Sequence, residues 1–144
     1  MGPWGTGPFA NADAADLVEE LVAGDDLTPA RGALAATTDR DDWLEMPEGA
    51  RAVAAAAVVA TSFDGYGADL PAEVTAWLTY HPDAATPADA RLAMDALVRI
   101  GGADSELREL WLAAPEAPAW IEGIARLGYR LAIVVGDETA EAGG

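Results

Sequence analysis

Residues 52–60 read AVAAAAVVA, nine small apolar side chains in succession. A helix that is apolar on every side is surrounded by other elements of the fold. Val53, Val58 and Val59 would also suit a buried strand, but the alanine content and a segment longer than about ten residues favour a helix. We therefore predict a helix over residues 49–62 at the centre of a bundle, where small side chains let neighbouring helices approach closely.

Amphipathic helices with recognisable ends are predicted before this segment. Asn11 fits the N-cap of a first helix, and Gly24 fits its end. One face of that helix carries an apolar stripe at helical spacing, made of Ala14, Leu17, Val18, Leu21 and Val22. Pro29 is a favoured first position for a second helix, which we expect to reach about Thr38. Pro47 is then expected to break the chain before the central helix.

Further helices are predicted after the central segment. Pro71 opens a fourth helix that closes before Pro82, and Thr86–Asp89 has the form of a capping box for a fifth. Ser105 fits the N-cap of a sixth helix, and Pro118 fits the start of the last one. The side chains expected to point into the core from these last two helices are Leu107, Leu110, Trp111, Trp120, Ile121, Ile124, Leu127 and Leu131.

These elements predict an all-α protein, a single compact bundle of six or seven short helices with an N-terminal hook rich in Gly, Pro and aromatic residues. The length of 144 residues suits one domain. We place that domain at residues 1–135. Residues 136–144 are expected to form a disordered acidic tail, because they contain no large apolar side chain.

The charge of the chain excludes some classes of partner. Twenty-five acidic residues face eight arginines and no lysine, which gives a net charge of −17. Such a surface repels phosphate backbones and anionic lipids, so we expect no binding to nucleic acid or membrane. No apolar run is long enough to span a bilayer, and no cysteine is present to form a disulfide or a thiolate metal site. We expect a cytoplasmic protein whose acidic surface either attracts a basic protein partner or serves solubility alone.

The N-terminal segment carries a distinctive motif. Residues 1–16 read MGPWGTGPFANADAAD and resemble the opening of a bacterial family known as DUF4259, whose members begin Met-Gly-x-Trp-Gly-x-Gly-x-Phe and continue into Asn-Asp-x-Ala-x-Asp. The residues that match this pattern are Trp4, Gly5, Gly7, Phe9, Asn11, Asp13 and Asp16. Ala10 and Ala12 stand where the family often has acidic residues, and the stretches around Trp111 and Trp120 also resemble it. The resemblance implies no particular activity, because the family is defined without an established function.

This motif has a structural and a functional interpretation. In the first, the glycines permit turns that place Trp4 and Phe9 against the bundle, as a hook that closes one end of the core. In the second, the hook and the first helix form a binding site, whose candidate residues are Trp4, Phe9, Asn11, Asp13, Asp16 and Glu20. Asp13, Asp16 and Glu20 lie at i, i+3 and i+7, so their carboxylates share a helix flank that could hold Mg²⁺ or Ca²⁺. If it binds no cation, the row is an ordinary solvent-exposed face of the helix.

Three functions are compatible with these observations. The first, which we prefer, is a non-catalytic acidic interaction protein of the immunity or inhibitor type that covers a basic partner. The second is a small-molecule binding or self-resistance protein whose pocket is built from Trp4, Phe9, Trp77, Trp111 or Trp120. The third is a metal-dependent enzyme that uses the acidic flank of the first helix. No catalytic residue and no cofactor is predicted, and the single histidine, His81, is expected to bond the last carbonyls of its helix.

Overall fold

The structure, a computed structural model, describes residues 7–67 and 70–143, with side chains as far as Gly136. Trp4 and the other residues of the segment 1–6 lie outside the described residues. Seven helices in the described part confirm the predicted all-α bundle: α1 (Ala12–Val22), α2 (Thr28–Asp39), α3 (Met46–Asp64), α4 (Ala72–Tyr80), α5 (Pro87–Gly101), α6 (Glu106–Leu112) and α7 (Ala117–Gly143). Within these residues, β structure is limited to an isolated parallel bridge between Leu44 and Ser105.

Helix α3 is the centre of the bundle, as its sequence predicts. Every residue from Ala52 to Ala60 is buried, and helices α1, α2, α5, α6 and α7 all pack against α3. Because the α3 side chains are short, larger side chains from its neighbours complete the core. Leu17, Leu34 and Ile100 are examples that have no exposed surface.

Helix α3 is longer than predicted at both ends. It begins at Met46, and Pro47 lies within its first turn instead of breaking the chain. Proline is tolerated there because the first N–H groups of a helix have no acceptor within the helix. The Glu106 carboxylate accepts a hydrogen bond from the Met46 N–H at 2.6 Å and so caps this end. Gly65 closes the other end with a φ of 75°, in the left-handed region that favours glycine.

The predicted helix caps are confirmed at three positions. The Asn11 side-chain oxygen accepts a backbone N–H of α1 at 2.8 Å, and the Ser105 hydroxyl accepts a backbone N–H of α6 at 3.3 Å. Thr86 and Asp89 form the capping box of α5, with hydrogen bonds in both directions. These caps join residues three apart in the chain, so local sequence is sufficient to predict them.

Three apolar side chains lie further from the core than predicted. Val22, Leu110 and Ile121 each keep more than a third of their surface exposed. At about 100° per residue, Leu110 is turned roughly 80° away from the face of α6 that buries Leu107 and Trp111. The periodicity therefore predicts the right helices but makes their apolar faces too wide.

Helix α7 extends further than predicted. It begins at Ala117, next to the expected start at Pro118, and continues to Gly143, through most of the expected tail. The stretch after residue 135 includes alanine and glutamate, which favour a helix, and contains no proline. Disorder of residues 136–144 in solution, and the domain boundary at residue 135, stay predictions.

Candidate functional site

Helix α1 positions most of the candidate residues that the sequence singles out. Its buried stripe includes Leu17 and Leu21, and α1 packs on α3 with α2 and α4 against its flanks. Because the stripe occupies one side of the helix, Asp16 and Glu19 are left on the solvent side. The acidic face of α1 is therefore an outer surface of the bundle.

An open groove of about 230 Å³ lies between α1 and α4. We refer to it as the α1–α4 groove; it is lined by Phe9, Ala15, Val18, Glu19, Val22, Pro71 and Glu73. Five of these seven residues are apolar, and the two charged ones, Glu19 and Glu73, are both exposed carboxylates. The groove therefore combines apolar surface with negative charge and has no basic residue in its lining.

Phe9 belongs both to the core and to this groove. Its ring is partly buried against the core. A turn in which the Ala10 N–H donates to the Gly7 carbonyl at 3.2 Å brings Phe9 to the start of α1. Phe9 thus packs as the structural interpretation of the motif expects, and it also contributes to the groove. Trp4, the other aromatic residue of the predicted hook, lies outside the described residues.

The opposite flank of α1 is occupied by an ion pair. Glu20 lies 2.7 Å from Arg51 of α3, and the hydrogen bond from this guanidinium holds the pKa of the Glu20 carboxyl below its usual value. Both residues line a second open groove, of about 400 Å³, between α1, α2 and α3. Glu20 is therefore a paired surface residue that takes no part in the α1–α4 groove.

The acidic row of α1 does not converge on one point. Asp13 and Glu20 are seven residues apart, a rise of about 10 Å along the helix, whereas the ligands of one Ca²⁺ or Mg²⁺ lie within about 2.5 Å of the ion. Among residues 7–67 and 70–136, no three acidic or histidine side chains are arranged to hold a metal ion. Asn11 is engaged in its capping hydrogen bond. In this part of the chain the row is a set of separate surface carboxylates.

The tryptophans that are candidates for an aromatic pocket lie in two separate places in the described residues. Trp77 stacks on His81 with ring centroids 4.1 Å apart, and its indole N–H donates to the Gly24 carbonyl at 2.9 Å. Trp111 and Trp120 form a second stacked pair, with 6.4 Å between centroids. The indole rings of Trp77, Trp111 and Trp120 are in the core and line neither of the two grooves. The His81 ring bonds the Trp77 carbonyl at 2.8 Å, as predicted for a histidine at a helix end.

Most arginines are engaged within the molecule. Contacts with carboxylates or backbone carbonyls of described residues are made by Arg31, Arg40, Arg51, Arg99, Arg126 and Arg130. Two of these contacts are bidentate pairs between helices, in which Arg31 of α2 binds Asp89 of α5 and Arg130 of α7 binds Asp64 of α3. The 25 acidic residues far outnumber these arginines, so the surface keeps a large excess of negative charge.

Asp89 and Asp64 have a role that the sequence does not reveal. Burial alone would raise the pKa of Asp89, but hydrogen bonds from Arg31 and from the Thr86 N–H outweigh it and hold that pKa below its ordinary value. Burial opposes the shift of Asp64 in the same way, and hydrogen bonds from Arg130 and a backbone N–H hold its pKa low. The arginine partners are 58 and 66 residues away in the chain, a separation at which no local sequence signal links two residues.

Comparison with known proteins gives the family of the chain. The model described as Domain of unknown function (DUF4259) matches residues 2–123. The chain belongs to the DUF4259 family. No curated protein and no solved structure matches it.

The DUF4259 match covers helices α1 to α6 and the first residues of α7. It includes every residue that lines the α1–α4 groove, whereas most of α7 lies beyond it. In the described part of this DUF4259 chain, no helix combines the length and the apolar character needed to cross a membrane.

Proposed function

We propose that this DUF4259 protein is a non-catalytic interaction protein that binds a basic protein partner through the α1–α4 groove. The observation that carries the proposal is the lining of the groove. Phe9 and Val22 supply apolar surface, and both charged residues, Glu19 and Glu73, are acidic. An apolar surface edged by one sign of charge selects a partner that carries apolar and basic side chains together.

An arginine or lysine side chain of a partner fits such a groove. The aliphatic stem of either side chain can lie on apolar surface while its charged head reaches a carboxylate. Glu19 on α1 and Glu73 on α4 offer carboxylates from the two helices that border the groove. A basic amphipathic helix presents apolar and basic side chains along one face and would use both properties of the groove.

The charge of the whole molecule supports association with this kind of partner. The net charge of −17 attracts a basic protein over a distance and raises its association rate. Arginines that are already engaged within the molecule offer little competing positive surface. An immunity or inhibitor protein that covers a basic site on its target is the type of function that this combination supports.

A basic amphipathic peptide with arginine and leucine on one helix face serves as a defined probe. We expect the wild-type chain to bind it with an association rate that falls as salt is raised, because ions screen the attraction. A peptide in which glutamate replaces arginine should not bind. The double variant Glu19→Gln/Glu73→Gln should weaken binding of the basic peptide about fivefold, which corresponds to two exposed ion pairs. Surface plasmon resonance at several salt concentrations measures both quantities.

The double variant Asp95→Asn/Glu109→Gln is the matched control. Both of its residues are exposed, lie on α5 and α6, and change the net charge by the same amount as the groove variant. Equal weakening in the two double variants would show that net charge alone attracts the peptide and would contradict a site in the groove. An association rate that does not respond to salt would contradict the proposal as well. Affinity capture from the source cell, with the groove variant as the comparison bait, then identifies the natural partner.

A further inference from the structure

Helix α7 presents a row of apolar side chains to solvent. Ile121, Ala125, Tyr129 and Ile133 occupy every fourth position, and we refer to them as the α7 ridge. The exposed fraction is 48% for Ile121, 69% for Tyr129 and 48% for Ile133, and Ala125 is exposed as well. Contiguous apolar side chains on an outer surface mark interaction sites, whereas isolated ones are ordinary.

The charges beside the α7 ridge cancel. Between Ala117 and Gly136, α7 carries three charged residues, which are Glu122, Arg126 and Arg130. Arg130 binds Asp64, and Arg126 binds Glu122 at 2.8 Å. Two copies that each carry a charge of −17 repel one another, and we expect the repulsion to be weakest where the stretches of α7 between Ala117 and Gly136 meet, because the charges there are paired. A basic partner would be drawn to the carboxylate surfaces instead.

The order of side chains in the α7 ridge fits a second copy that runs in the opposite direction. In an antiparallel pair whose twofold axis passes between Ala125 and Tyr129, Ile121 of one copy meets Ile133 of the other. Ala125 then meets Tyr129, so a small side chain leaves room for a large one on both sides of the axis. Rows of residues spaced four apart also interdigitate when two helices cross at about −50°, the commonest class of helix packing.

We propose that two copies of this chain associate through the α7 ridge in an antiparallel twofold arrangement. The ridge and the α1–α4 groove share no residue, so the contact between copies does not use the groove. The proposal is therefore independent of the function proposed above.

Sedimentation of the full chain over a range of concentrations tests this association. We expect the wild-type mass to rise with concentration toward about twice the 14.8 kDa of one chain. Tyr129→Glu places like charges near the twofold axis and should raise the dimer Kd at least about tenfold. Tyr80→Glu is the matched control, because Tyr80 of α4 is 83% exposed and lies outside the ridge, and it should leave the Kd unchanged. Circular dichroism and the urea midpoint verify that both variants are folded.

Disulfide trapping tests the direction of the two helices. The chain has no native cysteine, so introduced thiols are the only ones present. Under mild oxidation, a mixture of Ala125→Cys and Tyr129→Cys copies should form mixed dimers in preference to dimers of either variant alone. A parallel contact would crosslink each variant with itself and would overturn the antiparallel arrangement.

Two sedimentation results would overturn the proposal as a whole. The first is a wild-type mass that stays at that of one chain up to millimolar concentration. The second is a folded Tyr129→Glu variant that dimerises as well as Tyr80→Glu, which would place the contact elsewhere on the surface.

Discussion

The two bidentate arginine–aspartate pairs of this molecule have nearly the same geometry in different surroundings. Arg31 Nε lies 2.7 Å from Asp89, and Arg130 Nε lies 2.7 Å from Asp64. In each pair the arginine Nη2 donates both to the carboxylate and to a backbone carbonyl. One pair joins α2 to α5, and the other joins α3 to α7.

The pairs differ in how much else depends on the carboxylate. The Asp89 side chain is 6% exposed. It also accepts hydrogen bonds from the N–H and the hydroxyl of Thr86, the N-cap residue of α5. The Asp64 side chain is 22% exposed and accepts one further hydrogen bond, from the Tyr66 N–H. We therefore expect the two pairs to contribute differently to the free energy of unfolding, although their ion-pair chemistry is the same. Burial and position on the helix account for the difference.

Replacing Asp89 should have the largest effect on stability. Asp89→Ala removes the carboxylate that accepts the Thr86 N–H in the capping box and leaves Arg31 without its partner, and we expect a loss of about 3 kcal/mol in the free energy of unfolding. This value is at the lower end of the range for breaking a buried ion pair, because the Arg31 side chain stays partly exposed to solvent. Urea unfolding measures it.

Asp95→Ala is the control for this experiment, because Asp95 is an exposed carboxylate on the same helix. Its replacement should change the free energy of unfolding by no more than about 0.5 kcal/mol. Equal losses for the two variants would show that helix α5 depends on its total charge and that the capping box and the pair have no special role.

Replacing Asp64 should have a smaller effect. Asp64→Ala leaves Arg130 partly buried without a carboxylate but removes no capping box, so we expect a loss of about 2 kcal/mol in urea unfolding. Glu122→Ala breaks an exposed pair within α7 and should cost less than about 0.5 kcal/mol. A loss for Asp64→Ala as large as that for Asp89→Ala would contradict the added weight that we assign to the capping box.

Acid should weaken both pairs. The folded pKa of Asp89 and of Asp64 lies below the value of about 3.9 in the unfolded chain. Their stabilising contribution is therefore complete above that unfolded value and is lost as the pH falls through the lower folded values. We expect the free energy of unfolding to fall as the pH drops below about 4, and Asp89→Asn to reduce this pH dependence more than Asp95→Asn does. Equal pH dependence in Asp89→Asn and Asp95→Asn would contradict the contribution of the Asp89 carboxylate to the loss of stability in acid.

Replacing Glu20 should have the smallest effect. Glu20 is an exposed residue of α1, and its pair with Arg51 lies on the surface of the bundle. We expect Glu20→Gln to leave the urea midpoint at the wild-type value. Asp16→Asn is the control and should leave it there as well. A shift that approaches the effect of Asp64→Ala would mean that the outer flank of α1 contributes to the fold.

Local sequence predicts the helices and their caps well. Asn11, the Thr86–Asp89 box and Ser105 were predictable because each cap joins neighbours in the chain, and AVAAAAVVA predicts a buried helix because no face of it is polar. The prediction that Pro47 breaks the chain is wrong, because proline is compatible both with a break before a helix and with its first turn, where the structure places it.

The candidate site was less predictable. Phe9 and Asp16 were identified from their motif, and the structure places both on or beside the outer face of α1. Glu73 was not identified, because it lines the same groove as Glu19 only after α4 has packed beside α1. Glu20 was grouped with Asp16 by spacing alone, although Arg51 of a different helix engages it. Contacts between distant segments depend on the packing of the bundle, which periodicity does not specify.

The alanine-rich centre of α3 also has a consequence for the order of folding. Alanine has the highest helix propensity, so the six alanines of residues 52–60 favour helical turns before any neighbour has docked. We expect α3 to be structured in the transition state, where it offers a surface for the helices that arrive later. A glycine in place of Ala56 should therefore slow refolding, whereas loss of the Arg130 contact to Asp64 should mainly speed unfolding.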